Sequence, residues 1–216
     1  PRKPEDLFRY EVVMLYDPTF TRDGFDQPFI QMLETFVADH HGGLCYIASN
    51  KNSDINLVGT LSALDPLENL LPVQLDRQAL NIAERIAQAE PVAYPVQPTA
   101  SGQDHPILRM GGTAEDTLQI WSVLPGVFWS HPVRRLKPLA TTLAVSSDAS
   151  RVVTSSGSER EPLIAVQYYG KGRSLYMGFD ETWRWRALAN GTFHREFWHN
   201  VISFLAAGRL QKKRIV

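Results

Sequence analysis

A strand–helix–strand pattern near the start of the chain constrains the fold more than any other feature. Residues 10–16 are a short β-branched and apolar run that ends at a turn signal, Asp17 followed by a proline. Residues 25–41 repeat apolar side chains at the spacing of an amphipathic helix, which a glycine pair then ends. Residues 44–48 form a second buried run. This βαβ pattern predicts two parallel strands.

The later segments extend this pattern into an α/β fold. We expect strands at 70–75, 139–146, 163–169 and 173–179, and helices at 76–89, 113–123 and 193–207. A short glycine-containing turn between 163–169 and 173–179 indicates a β-hairpin. Helices that alternate with buried strands predict a three-layer α/β/α sandwich, with a mostly parallel sheet and an antiparallel hairpin near the C-terminus.

Length and composition are those of one globular domain. The chain has 216 residues, of which 44% are hydrophobic and 21% charged. We therefore predict a single domain over 1–216 with a core at about 8–210. Loop excursions are expected at 91–106 and 146–161, and a basic tail at 209–216. Because the chain begins at Pro1 and not at Met, it is expected to be part of a longer protein.

The charges of the chain are unevenly distributed. Residues 1–130 carry 8 basic and 17 acidic side chains, whereas residues 131–216 carry 14 basic and 6 acidic ones. A basic half raises the alternative of nucleic-acid binding, but no motif for DNA or RNA accompanies it. We favour the interpretation that the two halves interleave in one domain and neutralise each other, so no nucleic-acid partner is predicted.

A block of unusual residues near the C-terminus resembles a known family. The sequence YGKGR at 169–173 leads into DETWRWR at 180–186 and then FW at 197–198. Together with Gly42-Gly43-Leu44 after the first predicted helix, this block resembles the class I glutamine amidotransferase-like domain of uncharacterised, planctomycete-type bacterial membrane proteins. Those proteins also carry a von Willebrand factor A-like region. The resemblance covers roughly residues 8–210.

The resemblance implies a flavodoxin-like fold in a soluble domain of a membrane-anchored bacterial protein. It does not by itself imply the activity. No apolar run is long enough to cross a bilayer, so this segment is not predicted to insert into a membrane directly. The side of the membrane is left open. The expected partners are an unknown protein or other domains of the same polypeptide.

Two residues are weak candidates for a nucleophile. Cys45, the only cysteine, lies inside the strand pattern 44–48, which favours a buried thiol. Ser49 follows that strand but lacks the G-x-S-x-G elbow. The resemblance implies a Cys-His-Glu triad, yet Asp180-Glu181 stand where its His-Pro-Glu is expected, and His131 is followed by Pro-Val. The triad is therefore predicted to be absent.

The most unusual chemistry lies at the predicted strand ends. Ligands bind to open α/β sheets at the carboxyl ends of the strands. Trp can stack or pack, and Arg can bind carboxylates or phosphates. The candidate binding residues are Asp17, Asp180, Glu181, Trp183, Arg184 and Arg186. The structural alternative is that the tryptophans fill a groove under the last helix and the arginines pair with nearby carboxylates.

No cofactor or metal is predicted. The histidines lack the three- or four-residue spacing of a helical metal pair, and one cysteine excludes a Cys-rich zinc site. The sequence therefore predicts a non-catalytic binding or scaffold domain. The alternative is a cysteine- or serine-dependent amidotransferase or hydrolase that uses Cys45 or Ser49. A nucleic-acid binder is the third interpretation.

Overall fold

The computed structural model describes residues 3–18, 26–50, 65–76 and 92–215. Within these ranges the strands are β1 (Val12–Tyr16), β2 (Gly43–Ile47), β3 (Val73–Leu75), β4 (Val96–Pro98), β5 (Val133–Leu136), β6 (Thr141–Ser146), β7 (Pro162–Tyr169) and β8 (Gly172–Met177). The helices are α1 (Pro4–Leu7), α2 (Gln27–Ala38), α3 (Asp65–Leu70), α4 (Ala100–Gln103), α5 (Ala114–Val123) and α6 (Thr192–Ile215). Two 3₁₀ segments, Glu181–Ala187 and Ala189–Gly191, precede α6.

A six-stranded sheet forms the centre of the fold, in the order β1-β2-β8-β7-β6-β4. Strands β1, β2 and β8 are parallel, and Met14, Cys45 and Leu175 lie side by side in register. The neighbouring pairs β8-β7, β7-β6 and β6-β4 are antiparallel. Four strands therefore run in one direction and two in the other. The mostly parallel sheet and the C-terminal hairpin are confirmed.

The sheet is covered on both faces, which makes the fold a three-layer α/β structure. On β2, alternate side chains enter opposite cores, Cys45 with α6 and α5 and Leu44 with α2. The α2 side also contains α1, α3 and a small sheet of β3 and β5. The α6 side also contains the 3₁₀ segment that carries Trp185.

Local interactions explain where α2 begins and which of its faces is buried. The side chain of Asp26 accepts a hydrogen bond from the Phe29 amide at 3.0 Å, which caps the first turn. Leu33, Phe36 and Val37 are buried, as is Ile30, so one face of the helix packs against the sheet. Beyond the helix, Gly43 opens β2 so close to α6 that a Cβ would lie 2.6 Å from the Leu205 carbonyl oxygen. Only glycine permits this approach.

Two further elements form from short-range signals. In α5, Thr113 and Asp116 form a reciprocal capping box, with each side chain accepting from the other's backbone amide. Between β7 and β8, Gly170 takes a φ of 57°, which a glycine adopts without strain. The helix expected at 113–123 and the hairpin expected between 163–169 and 173–179 are both confirmed.

The last helix ties the two ends of the described chain together. Arg209 on α6 donates to the carbonyl oxygens of Phe8 and of His40, the latter at 3.2 Å. Its guanidinium carbon also lies 5.6 Å from the centre of the Phe36 ring. This arginine therefore holds α6 against α1 and the end of α2.

Several predicted boundaries were wrong. The segment 91–106 is not only a loop, because it contributes β4 to the sheet edge and forms α4. The predicted tail at 209–216 continues α6 as far as Ile215. The strand expected at 70–75 is confined to Val73–Leu75, which pairs with the unpredicted β5. Of the helix expected at 76–89, all but the first residue lies outside the described residues, as does Phe25.

Candidate functional site

The carboxyl ends of the three parallel strands bring together residues that are distant in sequence. Asp17 follows β1, and its amide donates to the Ile47 carbonyl of β2 at 2.9 Å. Ser49 follows β2, and Asp180 follows β8. The hydroxyl of Tyr16 donates to Oδ2 of Asp180 at 2.8 Å. The expected convergence at this edge of the sheet is therefore present.

Tyr16 sits between acidic side chains at this edge. Partial burial, the bond to Asp180 and the negative charges of Asp180 and Asp17 together raise the pKa of Tyr16 to about 12. The phenol therefore stays neutral and donates its hydrogen. Asp17 is buried and adopts a φ of 42°, in the left-handed region that non-glycine residues rarely occupy. This edge is negatively charged around an aromatic ring.

The two candidate nucleophiles are not presented to solvent. Cys45 lies in the middle of β2 with no exposed surface, and burial raises the pKa of its thiol far above the usual range. Ser49 lies at the correct end of β2 but is also buried. Neither side chain is exposed for attack on a substrate.

Glu181 and Arg184 both hold one neighbouring loop. Oε1 of Glu181 accepts from the backbone amides of Phe128 at 2.9 Å and of Trp129 at 3.2 Å. Arg184 donates to Oε2 of Glu181 at 3.3 Å and also to the Gly126 carbonyl. Its guanidinium carbon lies 4.4 Å from the centre of the Phe128 ring. These two candidate binding residues therefore position the loop that carries Phe128.

The two tryptophans of the 3₁₀ segment have opposite environments. Trp185 is fully buried, donates to the Pro125 carbonyl at 3.1 Å, and lies 5.2 Å from the ring of Phe197. Trp183 is 57% exposed. Arg186 is also exposed, and its Nε donates to the Trp183 carbonyl at 3.2 Å. Trp185 therefore fills the core under the last helix, as the structural alternative expects. Trp183 does not, because most of its side chain is at the surface.

We use the name strand-end surface for the exposed and partly exposed residues near these contacts. Its members are Tyr16, Phe128, Asp180, Trp183 and Arg184. Tyr16 is 60% exposed and Phe128 41% exposed, although hydrogen bonds hold the Tyr16 hydroxyl and the Phe128 amide in place. Sequence reasoning missed Phe128, because its loop reaches the strand ends through contacts with residues far away in the sequence, such as Glu181 and Arg184.

A second polar group lies mostly buried at the same end of the sheet, and we call it the Glu161 cluster. It consists of Tyr94, Ser130, Arg151 and Glu161. The Tyr94 hydroxyl donates to Oγ of Ser130 at 3.0 Å, and Ser130 donates to Oε1 of Glu161 at 3.0 Å. The guanidinium of Arg151 lies 4.6 Å from the centre of the Tyr94 ring and 3.9 Å from Oε2 of Glu161.

Burial dominates the protonation of this cluster. It raises the pKa of Glu161 to about 7, while the positive charge of Arg151 and the bond from Ser130 oppose the shift. Burial also raises the pKa of Tyr94 well above its usual range. Sequence analysis did not identify this cluster, because its members are far apart in the chain and form no motif. The only local signal is a glutamate directly before the buried strand β7.

His131, considered in the sequence as part of a His-Pro pair, lies between these two regions. It is buried, its amide donates to the Gly178 carbonyl at 2.8 Å, and its own carbonyl accepts from the Tyr176 hydroxyl at 3.3 Å. These bonds fasten the chain next to Ser130 onto the end of β8. The backbone of residue 131 thereby helps to position Ser130.

Within the described part of the chain, no group of three or more histidine, cysteine, aspartate or glutamate side chains is arranged to hold a metal ion. Asp17, Asp180 and Glu181 lie near one another without forming such a group. In the same ranges, no helix is both long enough and apolar enough to cross a membrane.

Comparison with known proteins supports the fold alone. No protein-family model matches the chain, and no curated protein matches it. Among solved structures, the chain is similar to the cytoplasmic protein STM3548 from Salmonella typhimurium, with a TM-score of 0.61 at 14% identity. That match covers 95% of this chain and 75% of the other. The cytoplasmic protein STM1381 from Salmonella typhimurium LT2 gives a TM-score of 0.55 at 16% identity, with coverages of 95% and 76%.

Proposed function

We propose that the chain is a non-catalytic binding domain with a flavodoxin-like, class I glutamine amidotransferase-like fold. The observation that carries the proposal is the strand-end surface, where Tyr16, Phe128 and Trp183 are exposed while their surroundings are fixed by hydrogen bonds. Tyrosine, tryptophan and arginine are enriched in the residues that dominate protein interfaces. A rigid aromatic surface binds with little loss of side-chain entropy.

The chemistry of this surface favours a polypeptide partner with a basic group beside an apolar side chain. Asp17 and Asp180 make the environment of Tyr16 negative, so a lysine or arginine of the partner fits beside the ring. Trp183 and Phe128 offer apolar area for its neighbour. Following the family resemblance, we propose that this partner segment belongs to another domain of the same membrane-anchored bacterial polypeptide.

The burial of Cys45 and Ser49 favours binding over catalysis. An amidotransferase or hydrolase needs an exposed nucleophile next to a base. The alternative interpretation, a divergent enzyme that uses Cys45 or Ser49, would require β2 to open before either side chain could react. Glu181 and Arg184 hold the Gly126–Trp129 loop, which is the geometry of a preorganised binding surface.

A displayed library of random peptides, selected on the folded protein, tests the proposal. Selected peptides are synthesised, and their affinities are measured by titration calorimetry. We expect basic and apolar peptides whose affinity falls at least about tenfold in Trp183→Ala, as for an interface hot spot. Tyr168→Ala is the matched control, because Tyr168 is an exposed aromatic residue at the far end of β7.

Two results would overturn the proposal. One is that no selected peptide binds the wild-type protein in solution. The other is that Trp183→Ala and Tyr168→Ala bind every selected peptide as tightly as the wild type does. Circular dichroism and urea unfolding confirm that both variants are folded before their affinities are compared.

A further inference from the structure

The two edge strands of the central sheet are built differently. Strand β4 at one edge has three residues and ends in Pro98. A short strand with a proline is a common protection of a sheet edge against pairing with another chain. Strand β1 at the other edge has five residues, none of them charged or proline, and it pairs with β2 without a bulge. The edge at β1 therefore lacks these protections.

Alternate backbone groups of β1 point away from the sheet. In a parallel pair, every second residue directs both its amide and its carbonyl to the partner strand. The amide of Asp17 donates to the Ile47 carbonyl, so Asp17 and every second residue before it face β2. Val12, Met14 and Tyr16 therefore direct their amides and carbonyls outwards. Among the described residues, β1 pairs with β2 alone.

The side chain of Met14 shows that the face of β1 is open as well as its edge. Met14 is 42% exposed, although Cys45 and Leu175 beside it in register have no exposed surface. Helix α6 thus covers the middle of β2 and β8 more fully than it covers β1. An uncharged edge strand with exposed apolar side chains is the type of site at which proteins add a strand from a partner.

Charge at the end of β1 distinguishes between possible partners. The negative charges of Asp180 and Asp17 act on Tyr16, so this end of the strand favours a basic side chain. A second copy of this chain fits less well. Antiparallel pairing of two β1 strands about Met14 brings Glu11 of one copy opposite Asp17 of the other, and like charges directly opposite destabilise a strand pair. A basic segment of another polypeptide meets no such repulsion.

We propose that the partner segment binds as an added β-strand along the free edge of β1, with a lysine or arginine next to Tyr16. This inference rests on the proposed function, because Tyr16 belongs both to β1 and to the strand-end surface. Backbone hydrogen bonds to Val12, Met14 and Tyr16 hold the segment, and its alternate side chains lie beside Met14 on the α6 side. The acidic end of β1 adds selectivity for the basic residue.

Amide hydrogen exchange measured by NMR tests the inference, with the selected peptide of highest affinity as the probe. When this peptide saturates the protein, exchange of the Val12, Met14 and Tyr16 amides should slow at least about tenfold. The amides of Val13 and Leu15 already bind β2 and are the internal control, so they should change less than about twofold. Equal changes at all five amides, or no change at the three outward ones, would overturn the inference.

Two variants of Met14 separate the backbone from the side chain. Proline is tolerated at an edge position whose amide points to solvent, and it removes the central outward donor. We expect the affinity for the peptide to fall at least about tenfold in Met14→Pro and at most about threefold in Met14→Ala. Circular dichroism checks that both variants fold. If Met14→Pro does not fold, the exchange pattern of the wild type decides.

The outcomes separate this inference from the proposed function. If Trp183→Ala weakens binding and a folded Met14→Pro does not, the strand-end surface binds the peptide without β1, and only this inference fails. If no peptide binds, both fail. Sedimentation equilibrium without peptide tests the other occupant, because a dimer that Met14→Pro dissociates would overturn the inference and assign the edge to a second copy.

Discussion

Two aromatic regions lie a few residues apart in the chain and have opposite environments. Trp185 packs edge-on against Trp121 and Phe197 in the core beneath α6. Trp183, two residues earlier, belongs to the strand-end surface and is mostly exposed. Successive residues of a 3₁₀ helix are about 120° apart, so positions two apart point in clearly different directions. The backbone geometry of one short segment thus places one tryptophan in the core and an identical residue at the surface.

The largest expected effect separates these two tryptophans by stability. Trp185→Ala removes a fully buried ring and should lower the free energy of unfolding by about 3–5 kcal/mol. Trp183→Ala should change it by less than about 0.5 kcal/mol, as is usual for exposed sites. Urea unfolding of both variants measures the difference. Equal losses of stability would mean that Trp183 also supports the core, and the division between the regions would fail.

A smaller effect distinguishes the Glu161 cluster from the strand-end surface, namely the pH dependence of the free energy of unfolding. Because the pKa of Glu161 is higher in the folded chain than its ordinary value of 4.5, folding binds a proton between pH 4.5 and about 7. Stability should therefore fall as pH rises through this window, by about 3 kcal/mol relative to Glu161→Gln. Above the window the difference should stay constant.

Urea unfolding at several pH values between 4.5 and 8 checks this expectation, with Glu159→Gln as the control at an exposed site. Curves for the wild type and Glu161→Gln that run parallel over the whole range would contradict it. They would indicate that Glu161 finds additional donors when it ionises. Burial of Glu161 would then not make the free energy of unfolding depend on pH.

The smallest expected effect is an absence of reaction at Cys45. This thiol lies in the same core as Trp185, and burial raises its pKa. Iodoacetamide should leave it unmodified in the native protein between pH 7 and 9 and modify it fully after denaturation. Intact mass measures both. Rapid modification of the native protein would show that β2 opens and would revive the alternative of a cysteine-dependent enzyme.

The sequence predicts the parts of this fold that local periodicity encodes. The first βαβ unit, the capped helix α5 and the final hairpin are all present, since their helices, strands and turns each form from apolar spacing, caps or turn residues that are close in the chain. Strands β4 and β5 were missed, because each has only three or four residues and lies outside a strong apolar pattern. Their strand character depends on pairing with distant partners.

The candidate site was predictable only in part, for the same reason. Asp17 and Asp180 could be placed together because parallel strands end at one edge of the sheet. Phe128 could not, because its position depends on a hydrogen bond that its amide donates to Glu181, 53 residues away. The bond between Ser130 and Glu161 likewise joins residues 31 positions apart. Such contacts leave no periodic pattern in the sequence.

The hydrogen bonds of Arg209 have a mechanical consequence. This residue of the last helix holds the backbone of Phe8, so the chain enters and leaves the fold at neighbouring points. Tension applied between Phe8 and the end of α6 is then carried first by the hydrogen bonds of Arg209, and not by the strands at the centre of the sheet. The strand-end surface lies at the other end of β1 from this contact, so such a load is borne before it reaches that surface.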